Sequence, residues 1–292
     1  MLDCLIIGGG PAGLTAATYL ARYRRSVAVY DAGHSRAALI PQSHNYPGFP
    51  SGVSGKELLQ RLTRQAEFYN VPLKHAIISA LERKEDGYRA SYEGGEVIAR
   101  RILLATGIVD AAPKIKGLDD AVEKGLVRYC PVCDAFEASD KRIAVLGGGD
   151  AAISKAKFLR DYSRDVTLLW QHGSAPPDSK ALEEAGIAIA RPVNGLEIRD
   201  QNIVALTGEG TRSFDVLYPA LGCDVKSDLA TRLGAETGEA GCLKVDEYQR
   251  TTVDSIYAAG DVVSDLHQIA VGTGHAAIAA THIHKTLPAH PR

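Results

Sequence analysis

Two stretches of the chain repeat one order of apolar and polar positions. From about Asp3 to Ile7 runs an apolar stretch of strand length, then a cluster of glycines. Apolar positions at helical spacing follow to about Tyr23, and a second apolar run covers Val27 to Tyr30. From Arg142 the order returns, with a strand Ile143 to Leu146, a glycine turn, a helix to about Tyr162 and a strand Val166 to Leu169. Two βαβ openings about 140 residues apart predict two similar domains rather than a solenoid of short repeats.

Between the openings, Ser54-Gly55-Lys56-Glu57 has the spacing of a capping box and predicts a helix to about Asn70. A strand pair turns at Gly94-Gly95 and ends in the buried run Ile102 to Ala105, which enters a glycine turn at Thr106-Gly107. Pro113 and Gly117 mark the crossing into the second domain, which holds a hairpin turning near Asp200-Gln201-Asn202 and a strand Val216 to Leu221. From Gly241 the chain is expected to return, because Ile256 to Ala259 is another buried run into a glycine turn, Gly260-Asp261. A helix from about His267 to Thr286 closes the chain. The expected division is therefore 1–111 with 241–292, and 112–240 as an inserted unit.

Composition narrows the function classes. A chain of 292 residues is long enough for about two cores. Its 33 basic against 35 acidic side chains give a net charge of −2, with no Lys/Arg run that would follow a nucleic acid backbone. The first twenty-one residues are apolar but lack a basic start and contain three consecutive glycines, so they read as a buried strand rather than a signal peptide. No uninterrupted apolar stretch reaches the roughly 18 residues of a spanning helix, and no membrane is expected as a partner. The five cysteines, at 4, 130, 133, 223 and 242, are an odd number, which points to a reducing, cytoplasmic compartment.

The first glycine cluster, Gly8-Gly9-Gly10-Pro11-Ala12-Gly13, follows a strand and opens a helix. In such a turn Gly8 makes the bend, Gly10 lets the backbone approach a pyrophosphate and Gly13 lets helix and strand pack closely. Asp31 ends the second strand, where a carboxylate accepts hydrogen bonds from ribose hydroxyls. Cys130 and Cys133 enclose only Pro131 and Val132, a spacing that suits a redox disulfide; a structural zinc site would need further ligands, and none is suitably spaced. Asp134 beside them reads either as a proton carrier or as a helix cap.

The second cluster, Gly147-Gly148-Gly149-Asp150-Ala151-Ala152, also suits a dinucleotide, but its second strand is followed by Trp170-Gln171-His172-Gly173. That segment offers neither a carboxylate for the ribose of NADH nor arginines for the 2′-phosphate of NADPH. Two lost arginine contacts would weaken NADPH binding by about 3–6 kcal/mol.

Taken together, GGGPAG at Gly8, HNYPGFP at His44 to Pro50, LLATG at Leu103 to Gly107, CPVCD at Cys130 to Asp134, GGGDAA at Gly147 and YAAGD at Tyr257 to Asp261 resemble the low-molecular-weight bacterial thioredoxin reductases along the whole chain. The resemblance implies an α/β protein of two Rossmann-like dinucleotide-binding domains, with the FAD domain discontinuous and an NAD(P)-type domain inserted. It also implies a homodimer. It places Gly8, Gly10, Pro11, Ala12, Gly13, Asp31, Asn45, Thr106, Gly107, Gly260 and Asp261 at FAD, with Gln268 and Ile269 beside the flavin ring. It makes Cys133 the flavin-facing thiol, Cys130 the exchanging one and Asp134 the acid/base, in a domain that rotates between two poses. The chain departs from the family at Trp170-Gln171-His172, where His-Arg-Arg is usual, and at Ala135, where glycine is usual.

The leading expectation is a disulfide reductase that passes electrons from flavin through Cys130 and Cys133 to a thioredoxin-like protein or a small disulfide. Its donor is ferredoxin, another flavoprotein, or a weakly bound NADPH or NADH. The rival readings are a dithiol oxidase that hands electrons to oxygen, and a non-catalytic flavoprotein. Cys4, Cys223, Cys242 and His275 read as structural residues, and nothing in the sequence decides whether Trp170 covers a vacated nucleotide site or simply packs.

Overall fold

A computed structural model describes residues 1–177, 179–263 and 266–289. The first unit opens with β1 (Leu2–Ile7), α1 (Pro11–Arg22) and β2 (Val27–Asp31), followed by α2 (Gly55–Phe68), β3 (Leu73–His75), β4 (Ile78–Lys84), β5 (Gly87–Tyr92) and β6 (Gly95–Leu104). The Ser54 hydroxyl accepts the Glu57 N–H and starts α2, as its spacing predicts. The sheet runs β3-β2-β1-β6-β5-β4, with β1, β2 and β3 parallel and β4 and β5 antiparallel. Strands β1 and β6 are parallel with Ile6 opposite Leu103, and β1 and the Ile102–Leu104 end of β6 are buried on two faces, which explains why these stretches read as apolar runs.

The chain leaves this sheet along β7 (Ile108–Asp110) and passes α3 (Leu118–Glu123) and α4 (Pro131–Asp134). The second unit is then built on β8 (Ile143–Gly147), α5 (Asp150–Leu159), β9 (Val166–Trp170), α6 (Ser179–Glu184) and β10 (Ile187–Ala190). It continues with the antiparallel strands β11 (Val193–Arg199), β12 (Asn202–Thr207) and β13 (Gly210–Phe214), and then β14 (Val216–Ala220). Its four-stranded sheet, β10-β9-β8-β14, is wholly parallel. Asp200 and Gln201 both have positive φ, +48° and +60°, the backbone that a two-residue hairpin turn requires.

The chain comes back along β15 (Cys223–Val225), antiparallel to β7, so two short paired strands carry the polypeptide between the units. It ends with α7 (Asp228–Thr231), β16 (Ile256–Ala258) and α8 (Ile269–Thr286). The return differs from the expected one at Gly241. Ala230 on α7 and Ala235 are buried in the core of the first sheet, beside Ile256 and Val262. Residues 228–240, expected in the inserted unit, therefore pack on the first, and a one-turn helix is too short to show the apolar period that would have revealed it. Tyr257 of β16 lies opposite Leu103, and β16 runs parallel to β6.

Candidate functional site

The first glycine turn follows β1 beside the end of β6, at the carboxyl edge of parallel strands where nucleotides bind in such sheets. Gly8 has φ +110°, and a Cβ there would stand 2.2 Å from the Ala105 carbonyl oxygen. A Cβ on Gly13 would stand 1.9 Å from the Gly8 oxygen, so helix and strand approach as closely as the sequence implied. Gly10 caps α1 without a side-chain partner, and a Cβ there would meet only the Ser35 hydroxyl, at 3.3 Å. Pro11 has no N–H, while Ala12 and Gly13 leave theirs pointing out of the first helical turn. The result is an open, electropositive cradle that fits a pyrophosphate. Asp31 ends β2 and accepts the Gly9 N–H at 2.8 Å.

Gly260 closes the same cradle from the other side. A Cβ on it would be 3.1 Å from the Ala12 methyl, and one on Gly272 of α8 would be 3.2 Å from the Gly260 Cα. Asp261 is bound by Arg36, whose Nη1 donates to its carboxylate at 3.2 Å. The same guanidinium holds Asp110 on β7 through Nε at 2.6 Å and Nη2 at 3.1 Å. Thr106 and Gly107 are tied to the returning strand's end: the Thr106 hydroxyl donates to the Lys226 carbonyl at 2.6 Å, and the Gly107 oxygen accepts the Lys226 N–H at 3.0 Å.

Cys130 and Cys133 form a disulfide with both sulfurs half-buried. Pro131 starts α4 because its fixed φ and missing N–H suit the first helical position, and Cys130 stands as the N-cap. Gln268, the N-cap of α8, donates its side-chain amide to Cys130 Sγ at 3.4 Å and to Cys133 Sγ at 3.2 Å. Asn45 supports that amide, donating to Gln268 Oε1 at 3.0 Å. Ile269 is the first residue of α8. The disulfide thus meets the first unit at the start of α8, beside Asn45.

Asp134 does not cap a helix. Its carboxylate accepts the Tyr218 hydroxyl at 2.8 Å, and the Arg128 guanidinium stands 3.8 Å away and donates to the Asp134 carbonyl. Burial raises the Asp134 pKa above the ordinary carboxylate value, against the opposing pull of Arg128 and Tyr218. An acid so placed keeps a proton nearer to neutral pH.

The second glycine turn is covered from within. A Cβ on Gly148 would lie 2.5 Å from the His172 ring, which therefore stands over the middle of the turn. Trp170 settles the question its sequence left open: its ring is buried in the core of the second sheet, its Nε1 donates to the Ser174 carbonyl at 2.9 Å, and it packs edge-on to His172.

Of the remaining cysteines, Cys4 and Cys242 are buried, with Cys242 Sγ 4.0 Å from His267 Nε2. Cys223, expected to be a structural thiol, is exposed on β15. Among the described residues no group of three or more His, Cys, Asp or Glu side chains stands together as a metal site, and no helix is long and apolar enough to cross a membrane. Arg36, Asp110, Arg128 and Tyr218 escaped the sequence reading. Their partners lie up to 225 residues away, and no local pattern marks them.

The family model for pyridine nucleotide-disulphide oxidoreductases matches residues 2–281. The chain is 32% identical to a thioredoxin reductase of Mycolicibacterium smegmatis over 94% of each sequence. Its fold superposes on the crystal structure of thioredoxin reductase from Streptococcus pyogenes with a TM-score of 0.87, at 28% identity and over 98% and 97% of the two chains. The atypical thioredoxin reductase TRi from Desulfovibrio vulgaris Hildenborough is 34% identical over 99% of this chain and all of its own, with a TM-score of 0.56.

Proposed function

We propose, from the premise that this chain belongs to the pyridine nucleotide-disulphide oxidoreductase family and is a thioredoxin-reductase-like, FAD-dependent disulfide oxidoreductase, that it reduces a disulfide in a thioredoxin-like protein through Cys130 and Cys133. The observation that carries the reading is the disulfide seated on Gln268 at the start of α8.

The cradle of Gly8, Gly10, Pro11, Ala12, Gly13 and Asp31, with Asn45, Thr106, Gly107, Gly260, Asp261, Gln268 and Ile269 around it, is assigned to FAD; Ser35 and Arg36 are added to that set by their position. FAD held there and reduced by its donor would supply the two electrons that open the disulfide. Asp134 holds a proton for the departing sulfur. Cys130, at the start of a helix, then attacks the partner's disulfide as a thiolate and forms a mixed disulfide. Cys133 attacks Cys130 Sγ, which releases the partner as a dithiol and restores the starting bond.

A chain of higher identity to TRi than to the S. pyogenes enzyme nevertheless superposes less well on it over its full length, which supports two poses of the units turning on β7 and β15. His172 over Gly148 favours a donor other than NADPH, such as ferredoxin. The reaction is assigned to the reducing cytosol.

The test is an anaerobic titration of the yellow protein with NADPH, NADH and reduced ferredoxin, followed by addition of an oxidised thioredoxin-like protein. Expected are slow bleaching of the flavin by either nicotinamide, prompt bleaching by ferredoxin, and reoxidation by the protein disulfide that Cys130→Ser and Cys133→Ser both abolish. Peroxide released from dithiols in air at a higher rate would reverse the assigned direction of flow.

A further inference from the structure

Lys155 lies on α5, the helix that the second glycine turn opens, but its side chain serves a different part of the molecule. Its ammonium donates to the Tyr129 carbonyl at 3.1 Å and to the Pro219 carbonyl at 2.6 Å. Tyr129 immediately precedes Cys130. Pro219 immediately follows Tyr218, whose hydroxyl holds the Asp134 carboxylate. One cation therefore fastens the backbone on both sides of the redox loop, the segment leading into the first sulfur and the strand that carries the partner of the acid.

The placement is costly for a lysine. Ala152, Ala156 and Leu159 of the same helix are buried in the core of the second sheet, and Lys155 is half-buried among them. An unbranched apolar side chain would fill that space without losing hydration, whereas a charged one must be compensated by partners. Burial lowers the Lys155 pKa to about 8. Asp110 on β7 pulls it up, Arg36 beside Asp110 pushes it down, and Asp134 on α4 pulls it up. These are the charges that face it from the packed elements. The ammonium consequently changes charge in the range where cysteine thiols do.

We propose that Lys155 is a positioning residue for the exchange chemistry, fixing the approach to Cys130 and holding a positive charge on the carbonyl of the residue before it, which favours the reduced, thiolate form of the pair. The inference rests on the reading that Cys130 and Cys133 cycle between disulfide and dithiol, and it does not depend on the identity of donor or partner. A nearby cation stabilises a thiolate and leaves a neutral disulfide untouched, so it shifts the equilibrium toward reduction.

The test equilibrates the FAD-loaded protein in mixtures of reduced and oxidised dithiothreitol, with the oxidation state of the Cys130/Cys133 peptide read by alkylation and mass mapping. In each exchange dithiothreitol loses two electrons and two protons to become its cyclic disulfide, and Cys130–Cys133 gains them. Lys155→Met is expected to disfavour the dithiol by about three- to tenfold near pH 7.5, about 15–30 mV. The difference from the parent protein is expected to shrink by at least half near pH 9.5, where the parent lysine has itself lost most of its charge. Lys155→Arg keeps a cation that does not titrate, and should match the parent near pH 7.5 and stay above Lys155→Met at both pH values.

Equal equilibria for Lys155→Met and the parent would overturn the proposal. So would a difference that does not change with pH, which would mean packing alone. Because dithiothreitol reports the pair directly, failure of the disulfide-reductase reading would show as missing electron transfer from flavin while this equilibrium remained measurable.

Discussion

At Asp134 the same burial that tunes the group for chemistry works against the fold. Its carboxyl is pushed above the ordinary value by desolvation, while Arg128 and the Tyr218 hydroxyl pull the other way. A folded-state pKa above the unfolded one means that the native protein holds the proton more tightly. The resulting stabilisation is complete below about pH 4 and is lost as the pH rises through the folded-state value. Asp134→Asn removes that loss, so the variant is expected to melt at a higher temperature than the parent at pH 7, with the two converging toward pH 4. The same substitution removes the proton carrier we propose, and turnover of a protein disulfide should fall by about 10²-fold or more. Thermal melts across pH 4–8 and stopped-flow turnover check the two halves separately. A variant no more stable at pH 7 than the parent would mean that Arg128 fully compensates the buried charge.

At the scale of elements, the turn after β8 has the backbone of a nucleotide site, but a side chain from the segment after β9 lies over its middle glycine. A His172 ring that stands 2.5 Å from where a Gly148 Cβ would be is exposed, and must swing aside before a pyrophosphate can approach that glycine. His172→Ala uncovers the turn without supplying any group that reads a 2′-phosphate. Affinity for NADPH and NADH is therefore expected to rise together, by at least about tenfold, with no preference between them; fluorescence titration measures both. A gain for NADPH alone would show that another cation already serves the phosphate.

Both βαβ openings were legible because strand runs, glycine turns and helical periods lie within about thirty residues of one another, and the Cys130–Cys133 pair was legible from its spacing. The covering of Gly148 was not, since His172 in sequence is only a histidine after a strand. Lys155 and Arg36 were equally silent: a lysine in a helix reads as a solvated side chain until the Tyr129 and Pro219 carbonyls are seen above it. The early return of residues 228–240 was hidden for a different reason, because its buried residues lie on a one-turn helix and a loop, neither of which has a period.

For the molecule as a whole, the connection between the units is a pair of three-residue strands, and a single guanidinium fastens one of them to the first unit. Arg36 holds Asp110 with two hydrogen bonds and Asp261 with a third, and the two carboxylates are only 14% and 23% exposed. Neither can be solvated well if the arginine is removed, and the remaining charges repel across the gap. Arg36→Met is expected to lower stability by about 2–3 kcal/mol in urea unfolding at neutral pH and to loosen FAD, because Asp261 borders the cradle. Adding Asp110→Asn to the same chain removes one of the two stranded charges and should restore at least half of the loss. That recovery separates an electrostatic tie from simple packing, since a cavity left by the arginine would persist in the double variant. The tie also bears on motion. Any rotation about β7 and β15 must carry Asp110 with it or break its bonds to Arg36, so the double variant, free of that constraint, should transfer electrons from the dithiol to a protein disulfide at least as fast as the parent while retaining less FAD. Slower transfer by the double variant with its FAD intact would show that Arg36 holds the productive pose.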